Sequence, residues 1–182
     1  MRVVETDIAG VLVVEPVVRR DARGFFVETY HAERYAAAGI TPAFVQDNHS
    51  RSQRGTLRGL HWQWRKPQGK LVRALLGEIF DVAVDLRPDS PTFGQWTGVT
   101  LSADDFRQLY VPPGLAHGYY VTSEVAEVEY KCTDLYDPTG EHGMRWDDPD
   151  LAIAWPLTGP PLLSERDQQH PSLRERFPSR FR

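Results

Sequence analysis

The sequence predicts an all-β fold, an antiparallel sandwich or barrel with a few short helices. Three observations predict it. Ten short segments rich in Val, Leu, Phe, Tyr and Trp follow one another, separated by Gly, Pro, Asp and Ser. Most of them have no helix-forming stretch between them, so the alternation of strand and helix that builds a parallel sheet is missing. No glycine-rich phosphate loop of the Walker or dinucleotide type occurs, so any phosphate ligand must be held by side chains.

In order, the strands are expected at 11–18, 25–30, 43–50, 56–64, 70–76, 78–86, 94–101, 108–112, 117–122 and 126–135. Gly55, Gly69, Gly77 and the pair Pro112-Pro113 are among the punctuation. The stretch 31–38, His31-Ala32-Glu33-Arg34-Tyr35-Ala36-Ala37-Ala38, has high helix propensity, and Gly39 offers a stop. Ser102 to Asp105 reads as a capping box opening one helical turn. From about residue 156 the chain is richer in Pro and polar residues, with Pro156, Gly159, Pro160, Pro161, Pro171 and Pro178, and reads as an irregular tail wrapped on the body. Residues 1–182 are expected to form a single domain, since the length suits one and no repeat or linker interrupts it.

Composition narrows the function. A hydrophobic content of 41% with 11% aromatics belongs to a folded chain. Lys+Arg 21 against Asp+Glu 25 gives a net charge of −4, which argues against nucleic acid as a partner. Only Lys66, Lys70 and Lys131 are lysines. The lone Cys132 excludes a disulfide framework and a cysteine-based zinc cluster. Apolar runs such as Val11 to Val14 stay far short of the roughly 20 residues of a membrane span. Met1 to Asp7 lacks the apolar core of a signal peptide, so no membrane partner and a cytoplasmic location are expected.

Strand alternation sorts side chains by face. In 126–135, Val128, Tyr130 and Cys132 share an apolar face, which points Tyr130 inward. In 70–76, Lys70 opens a face continued by Val72, Ala74 and Leu76. In 117–121, His117, Tyr119 and Val121 go together. In 56–64 the choice between Leu57, Gly59, His61, Gln63 and Arg58, Leu60, Trp62, Trp64 stays open, but a His and a Gln suit the mouth of a barrel. A polar group on an inner face is costly unless partnered. His61, Lys70, His117 and Tyr130 therefore form either a satisfied core network or a site.

The segment Pro112-Pro113-Gly114-Leu115-Ala116-His117 resembles the second motif of cupin barrels. Metal-binding cupins carry His-x-His in the first motif; here the matching place reads His61-Trp62-Gln63, so no metal is expected. Further motifs are Gly24-Phe25-Phe26-x-Glu28, Leu57-Arg58-Gly59-Leu60-His61-x-Gln63, Gln68-Gly69-Lys70, and Asp81 to Arg87 followed by Ser90-Pro91-Thr92-Phe93-Gly94-x-Trp96. Pro113-Gly114-x-Ala116-His117-Gly118, Tyr130-Lys131-Cys132-Thr133-x-x-Tyr136 and Trp146-x-Asp148-Pro149 complete them. With these motifs in this order, the chain from about residue 4 to 173 resembles the dTDP-4-dehydrorhamnose 3,5-epimerases of deoxysugar nucleotide biosynthesis.

The resemblance implies a cupin-type β-barrel or jelly roll, a homodimer, and no metal or organic cofactor. It implies dTDP-4-dehydro-6-deoxy-glucose as substrate and dTDP-4-dehydro-β-L-rhamnose as product. Inversion beside a ketone needs a base, an acid on the other side, and a group to hold the enolate oxygen. His61 suits the base, since its ordinary pKa lies near working pH. Tyr130 suits the acid, and Lys70 the enolate. The family pattern gives Asp167 the role of orienting His61, although Ser164 to Asp167 also reads as a capping box, and Asp81 and Asp85 are rival orienters. The family's substrate-binding pattern falls on Arg23, Glu28, Gln46, Asp47, Asn48, Arg58, Lys70, His117, Glu141 and Arg166, with Phe26, Tyr119, Tyr120 and Tyr136 as aromatics able to flank base or sugar. Simple alternation sets Arg58 opposite His61, so either Gly59 marks a bulge or Arg58 reaches a site lined from another element. In relatives the N-terminal segments cross to the other subunit, which would send Arg23 and Glu28 to a neighbour's pocket. Trp62 and Arg166 depart from the commoner family residues, and His49 has no expected role. The alternatives are a single-site 3- or 5-epimerase, a ketoisomerase, a sugar-nucleotide-binding cupin without catalysis, and a metal-dependent cupin oxygenase.

Overall fold

A computed structural model describes residues 1–181. The chain runs β1 (Arg2–Glu5), β2 (Leu12–Glu15), β3 (Val18–Asp21), β4 (Gly24–Val27), α1 (Ala32–Ala37), β5 (Gln46–Gln53), β6 (Leu57–Gln63) and β7 (Lys70–Leu76). It continues through β8 (Glu78–Asp85), β9 (Trp96–Ser102), β10 (Gln108–Val111), β11 (Leu115–Val121), β12 (Val125–Cys132), β13 (Glu141–Gly143) and, after a 3-10 turn at Asp167–Gln169, α2 (Leu173–Arg176).

The strands form two antiparallel sheets, ordered β1-β2-β10-β7-β12-β5 and β13-β6-β11-β8-β9, with β3 and β4 as a separate hairpin. The fold is all-β, as expected. The interior between the sheets is filled by Val13, Val72, Ile79, Ala83, Leu101, Leu109, Tyr119, Val121 and Val128, among others. Both outer faces are covered as well. Tyr35 of α1 and Ile40 pack on Leu12, Val14, Leu71 and Tyr110 of the six-stranded sheet. Met144, Leu151, Trp155 and Leu173 of the C-terminal segment pack on Leu57, Leu60, Trp62, Val82, Val84 and Tyr120 of the other. All seven residues of β11 are therefore buried. A strand covered on both sides keeps apolar residues on both faces.

Several boundaries differ from the sequence expectation. The run 11–18 breaks into β2 and β3 at Pro16, which has no N–H to give a ladder. β1 and β13 were not expected. β1 is four residues with a charge at each end, paired to β2 and closed by an Arg2–Glu15 ion pair of 3.1 Å. β13 is three residues that lie as a strand because β6 offers them an edge. At Ser102–Asp105 one hydrogen-bonded turn forms, Phe106 N–H donating to the Ser102 carbonyl at 3.2 Å, but not the capping box: Ser102 Oγ accepts from Asp104 N–H at 3.0 Å, two residues on, and Phe106 ends the turn with φ 60°. The tail is irregular but not loose. Leu162 bridges Thr56, Gly55 and Leu57, and the buried Asp148 accepts the Leu173 N–H at 2.7 Å. No described helix is long and apolar enough to cross a membrane.

Candidate active site

The site begins with the two inner faces. On the six-stranded sheet, Tyr130 of β12 pairs across to Val72 of β7, whose first residue is Lys70. On the facing sheet, His117 of β11 lies beside His61 of β6. These four groups line one cleft of about 660 Å³ together with Arg58, Tyr119, Glu141, Arg166 and Asp167. Its size suits a small organic ligand. A smaller annex of about 330 Å³ shares His61, Lys70, Tyr130 and Glu141 and adds the amides of Gln46, Asn48, Gln63 and Gln68, with Tyr136.

Arg58 and His61 enter the same cleft through a bulge. His117 faces His61 and Tyr119 faces Arg58, so a two-residue step on β11 meets a three-residue step on β6. The extra residue resolves the parity conflict, and Leu57 leaves His61's side to pack with Leu60 and Trp62 under the tail. Gly59 permits it: its φ is +130°, and a Cβ there would lie 2.6 Å from Gly118 Cα.

His61 Nε2 lies 2.6 Å from Asp167 Oδ1. Nε2–H donates to the carboxylate, and Nδ1 is then the basic nitrogen of the neutral ring. Burial would raise the Asp167 carboxyl, but the hydrogen bond and charge of His61, helped by the Gly59 N–H at 3.4 Å, leave it below its ordinary value. Asp167 also opens the 3-10 turn, its own N–H donating to Ser164 Oγ at 3.1 Å; this is half of the expected capping box, and the carboxylate that would complete it goes to His61 and the Gly59 N–H instead. The rival orienters serve elsewhere. Asp81 Oδ1 is 2.7 Å from His117 Nε2. Asp85 is a buried hub for Arg87, Ser90 and Thr92.

Lys70 Nζ sits 3.5 Å from His117 Nδ1 and 5.6 Å from the centre of the Tyr130 ring. Burial pushes the Lys70 ammonium down, against the opposing charges of Cys132, Asp81 and Glu141. Burial likewise pushes His117 down, more than Asp81 raises it, so the ring is neutral and can accept from Lys70. Burial drives the Tyr130 phenol up to about 12. Arg58 Nε donates to Ser52 Oγ at 3.1 Å. Among the described residues neither Arg58 nor Lys70 pairs with a carboxylate, whereas Arg166 makes a two-pronged pair with Glu141 at 2.7 and 2.6 Å, joined by the Tyr136 hydroxyl at 2.6 Å. Two cations without counter-ions in one cleft favour an anionic ligand.

Not every expected residue arrives. Asp47 points away from its neighbours Gln46 and Asn48, as alternation along β5 requires, and pairs with Lys131 at 2.9 Å on the outside. Arg23, Phe26 and Glu28 lie on or just after the β3–β4 hairpin, outside this chain's cleft. Arg23 pairs with Asp21 at 2.6 Å, Glu28 with Arg34 at 2.7 Å, and Phe26 is 70% exposed. Tyr120 is core. Sequence reasoning missed Ser50, whose hydroxyl is 2.8 Å from that of Tyr119, and it missed His170. Ser50 was legible by parity with Gln46 and Asn48; His170 follows a polar run in the tail and carried no signal.

His61, Asp167 and His170 are a cluster with metal-ligating atoms close together. Ligand atoms about 2.0–2.2 Å from a zinc ion in a tetrahedron stand more than 3 Å apart. The direct 2.6 Å contact of His61 with Asp167 is a hydrogen-bonded pair, not a cage.

A family model described as dTDP-4-dehydrorhamnose 3,5-epimerase matches residues 5–175. A Pseudomonas aeruginosa protein of that name is 56% identical over 170 residues, covering 93% of this chain and 94% of the relative. A Streptomyces niveus protein named dTDP-4-dehydrorhamnose 3-epimerase is 44% identical over 170 residues, covering 92% and 82%. The crystal structure of the dTDP-6-deoxy-D-glucose-3,5-epimerase of Legionella pneumophila, in complex with dTDP-4-keto-L-rhamnose, superposes with a TM-score of 0.92 at 51% identity, covering 94% of this chain and 92% of that one.

Proposed function

The chain belongs to the dTDP-4-dehydrorhamnose 3,5-epimerase family, and from that premise we propose how its cleft inverts carbons 3 and 5 of dTDP-4-dehydro-6-deoxy-glucose to give dTDP-4-dehydro-β-L-rhamnose. Both carbons flank the C4 ketone. His61 takes the α-proton, and the C–H electron pair moves into the ring to leave an enolate on the C4 oxygen. Lys70 holds that oxyanion, an effect worth about 3 kcal/mol in comparable sites. Tyr130 returns a proton to the carbon from the other side. The observation that carries this reading is the facing of the two sheets: His61, backed by Asp167, comes from one, and Tyr130 from the other, with Lys70 beside them.

Arg58 and Lys70 supply charge for the diphosphate, Arg through its planar fork. Gln46, Asn48, His117, Tyr136, Glu141 and Arg166 hold the rest of the ligand. No metal or organic cofactor enters the scheme. The single domain acts as a cytoplasmic homodimer, in which Arg23, Phe26 and Glu28 on the exposed hairpin serve the partner's cleft. In support, Val17, Phe25 and Phe26 leave an apolar surface on that hairpin that water alone covers poorly.

Incubation with dTDP-4-dehydro-6-deoxy-glucose in heavy water tests the reaction. Deuterium at both carbon 3 and carbon 5 of the product is expected. Label at carbon 3 alone would give the chain the activity that the Streptomyces niveus relative's name carries, and label at neither would remove the epimerase reading.

A further inference from the structure

His170 adjoins the base but takes no part in the proposed proton transfers. Its Nε2 faces Asp167 Oδ1 at 3.3 Å, and its ring stands edge-to-face on His61 with centroids 5.4 Å apart. Its side chain is 11% exposed. The contact with Asp167 is too poorly aligned to count as a hydrogen bond, and Nε2 has no other partner. A buried donor without a partner is costly, and natural folds rarely leave one. The slot is also built for the ring. Gly143 on β13 lies directly across from His61, and a Cβ at Gly143 would come within 2.0 Å of the His170 ring. Any residue other than glycine there would displace the imidazole.

We propose that His170 is a positioning residue for the epimerisation: its Nε2–H steadies the Asp167 carboxylate against His61 and sets how strongly that carboxylate favours the protonated base. The inference rests on His61 being the base. Asp167 Oδ1 then faces two imidazoles, His61 through a hydrogen bond and His170 across 3.3 Å, while Oδ2 meets the Gly59 N–H. The positive end of the His170 Nε2–H dipole, 3.3 Å from Oδ1, draws charge away from the His61 contact. Without it the carboxylate is richer in electrons and holds His61 imidazolium more firmly, so His61 stays protonated to higher pH. Burial, then the charge of His61, keeps His170 below its ordinary pKa, so it works as the neutral ring. The other charged and titratable groups around His61 are Arg58 on the same strand, His117 and Tyr119 on β11, Glu141 on β13, Lys70 and Tyr130 on the facing sheet, and Arg166 beside the turn.

Three variants separate positioning from packing. H170L fills the slot and donates nothing. H170Q places an amide N–H near the Nε2 position. G143A keeps His170 but pushes its ring aside. The readout is the pH dependence of kcat/KM, with wash-in of solvent deuterium as a second measure of proton removal. The expected result is an acid limb moved to higher pH by about half a unit or more in H170L and G143A, and near the parent in H170Q. If H170L does not fold, G143A carries the same prediction with His170 chemically intact. An acid limb at the parent position in whichever of these two folds, or a shift in H170Q as large as theirs, overturns the proposal. Loss of solvent exchange in His61→Ala is a separate test of the base, so failure of that premise is distinguishable from failure of this one.

Discussion

In the proposed reaction Lys70 is the residue whose charge the chemistry needs and whose surroundings resist it. Burial lowers its pKa, so the cation is lost below the ordinary lysine range of about 10.4 as pH rises. Tyr130, pushed up to about 12, still holds its proton there. An alkaline fall in kcat carried by Lys70 is therefore expected. Lys70→Arg keeps a charge that does not titrate and is expected to lower the rate while moving the alkaline limb out of range in a pH–rate series; the same limb at the same pH would assign it elsewhere. At this scale the sequence was legible wherever a strand kept a strict period of two, as at Val72 and Lys70 or at Val128 and Tyr130. It was silent where the chain has no period. His170 lies beyond the last strand, and only the folding-back of the tail brings it to His61.

The elements that matter most are the bulged strand β6 and the tail that closes over it. Gly59→Ala would force a Cβ to 2.6 Å from Gly118 Cα at a φ of +130°. A loss of about 2–4 kcal/mol in unfolding free energy is expected from strain and overpacking together. Denaturant midpoints check this, and a midpoint equal to the parent's would show that β6 does not need glycine there. Activity should fall with stability, because the bulge sets Arg58 and His61 on one side. Sequence parity registered the conflict at Arg58 and offered a bulge at Gly59 as one way out, which the register of β6 on β11 bears out; parity alone could not choose it, since register depends on the partner strand. The tail read as irregular from its prolines and is so, yet it positions Asp167 through the bridge at Leu162 and the buried Asp148 acceptor. Polar contacts of that kind leave no hydrophobic period to read.

For the whole molecule, the fold class was legible because ten apolar runs with turn residues between them have few other solutions. The covering of both sheets was not, since it depends on which tail residue meets which face. In the proposed dimer, the β3–β4 hairpin of one protomer completes the cleft of its partner. The protein is expected to sediment at twice the chain mass, and Arg23→Ala to raise KM several-fold with kcat less affected. A monomer with full activity would retire the shared cleft. The central claim is that a proton leaves one face of the keto sugar to His61 and returns at the other from Tyr130. Its most direct measurement is the ratio of solvent-deuterium exchange to net inversion in His61→Ala and Tyr130→Phe. Exchange should fall by about 10²–10⁴-fold in His61→Ala, whereas Tyr130→Phe should keep exchanging while inversion drops. Full turnover without His61, or equal loss of both readouts without Tyr130, would contradict it.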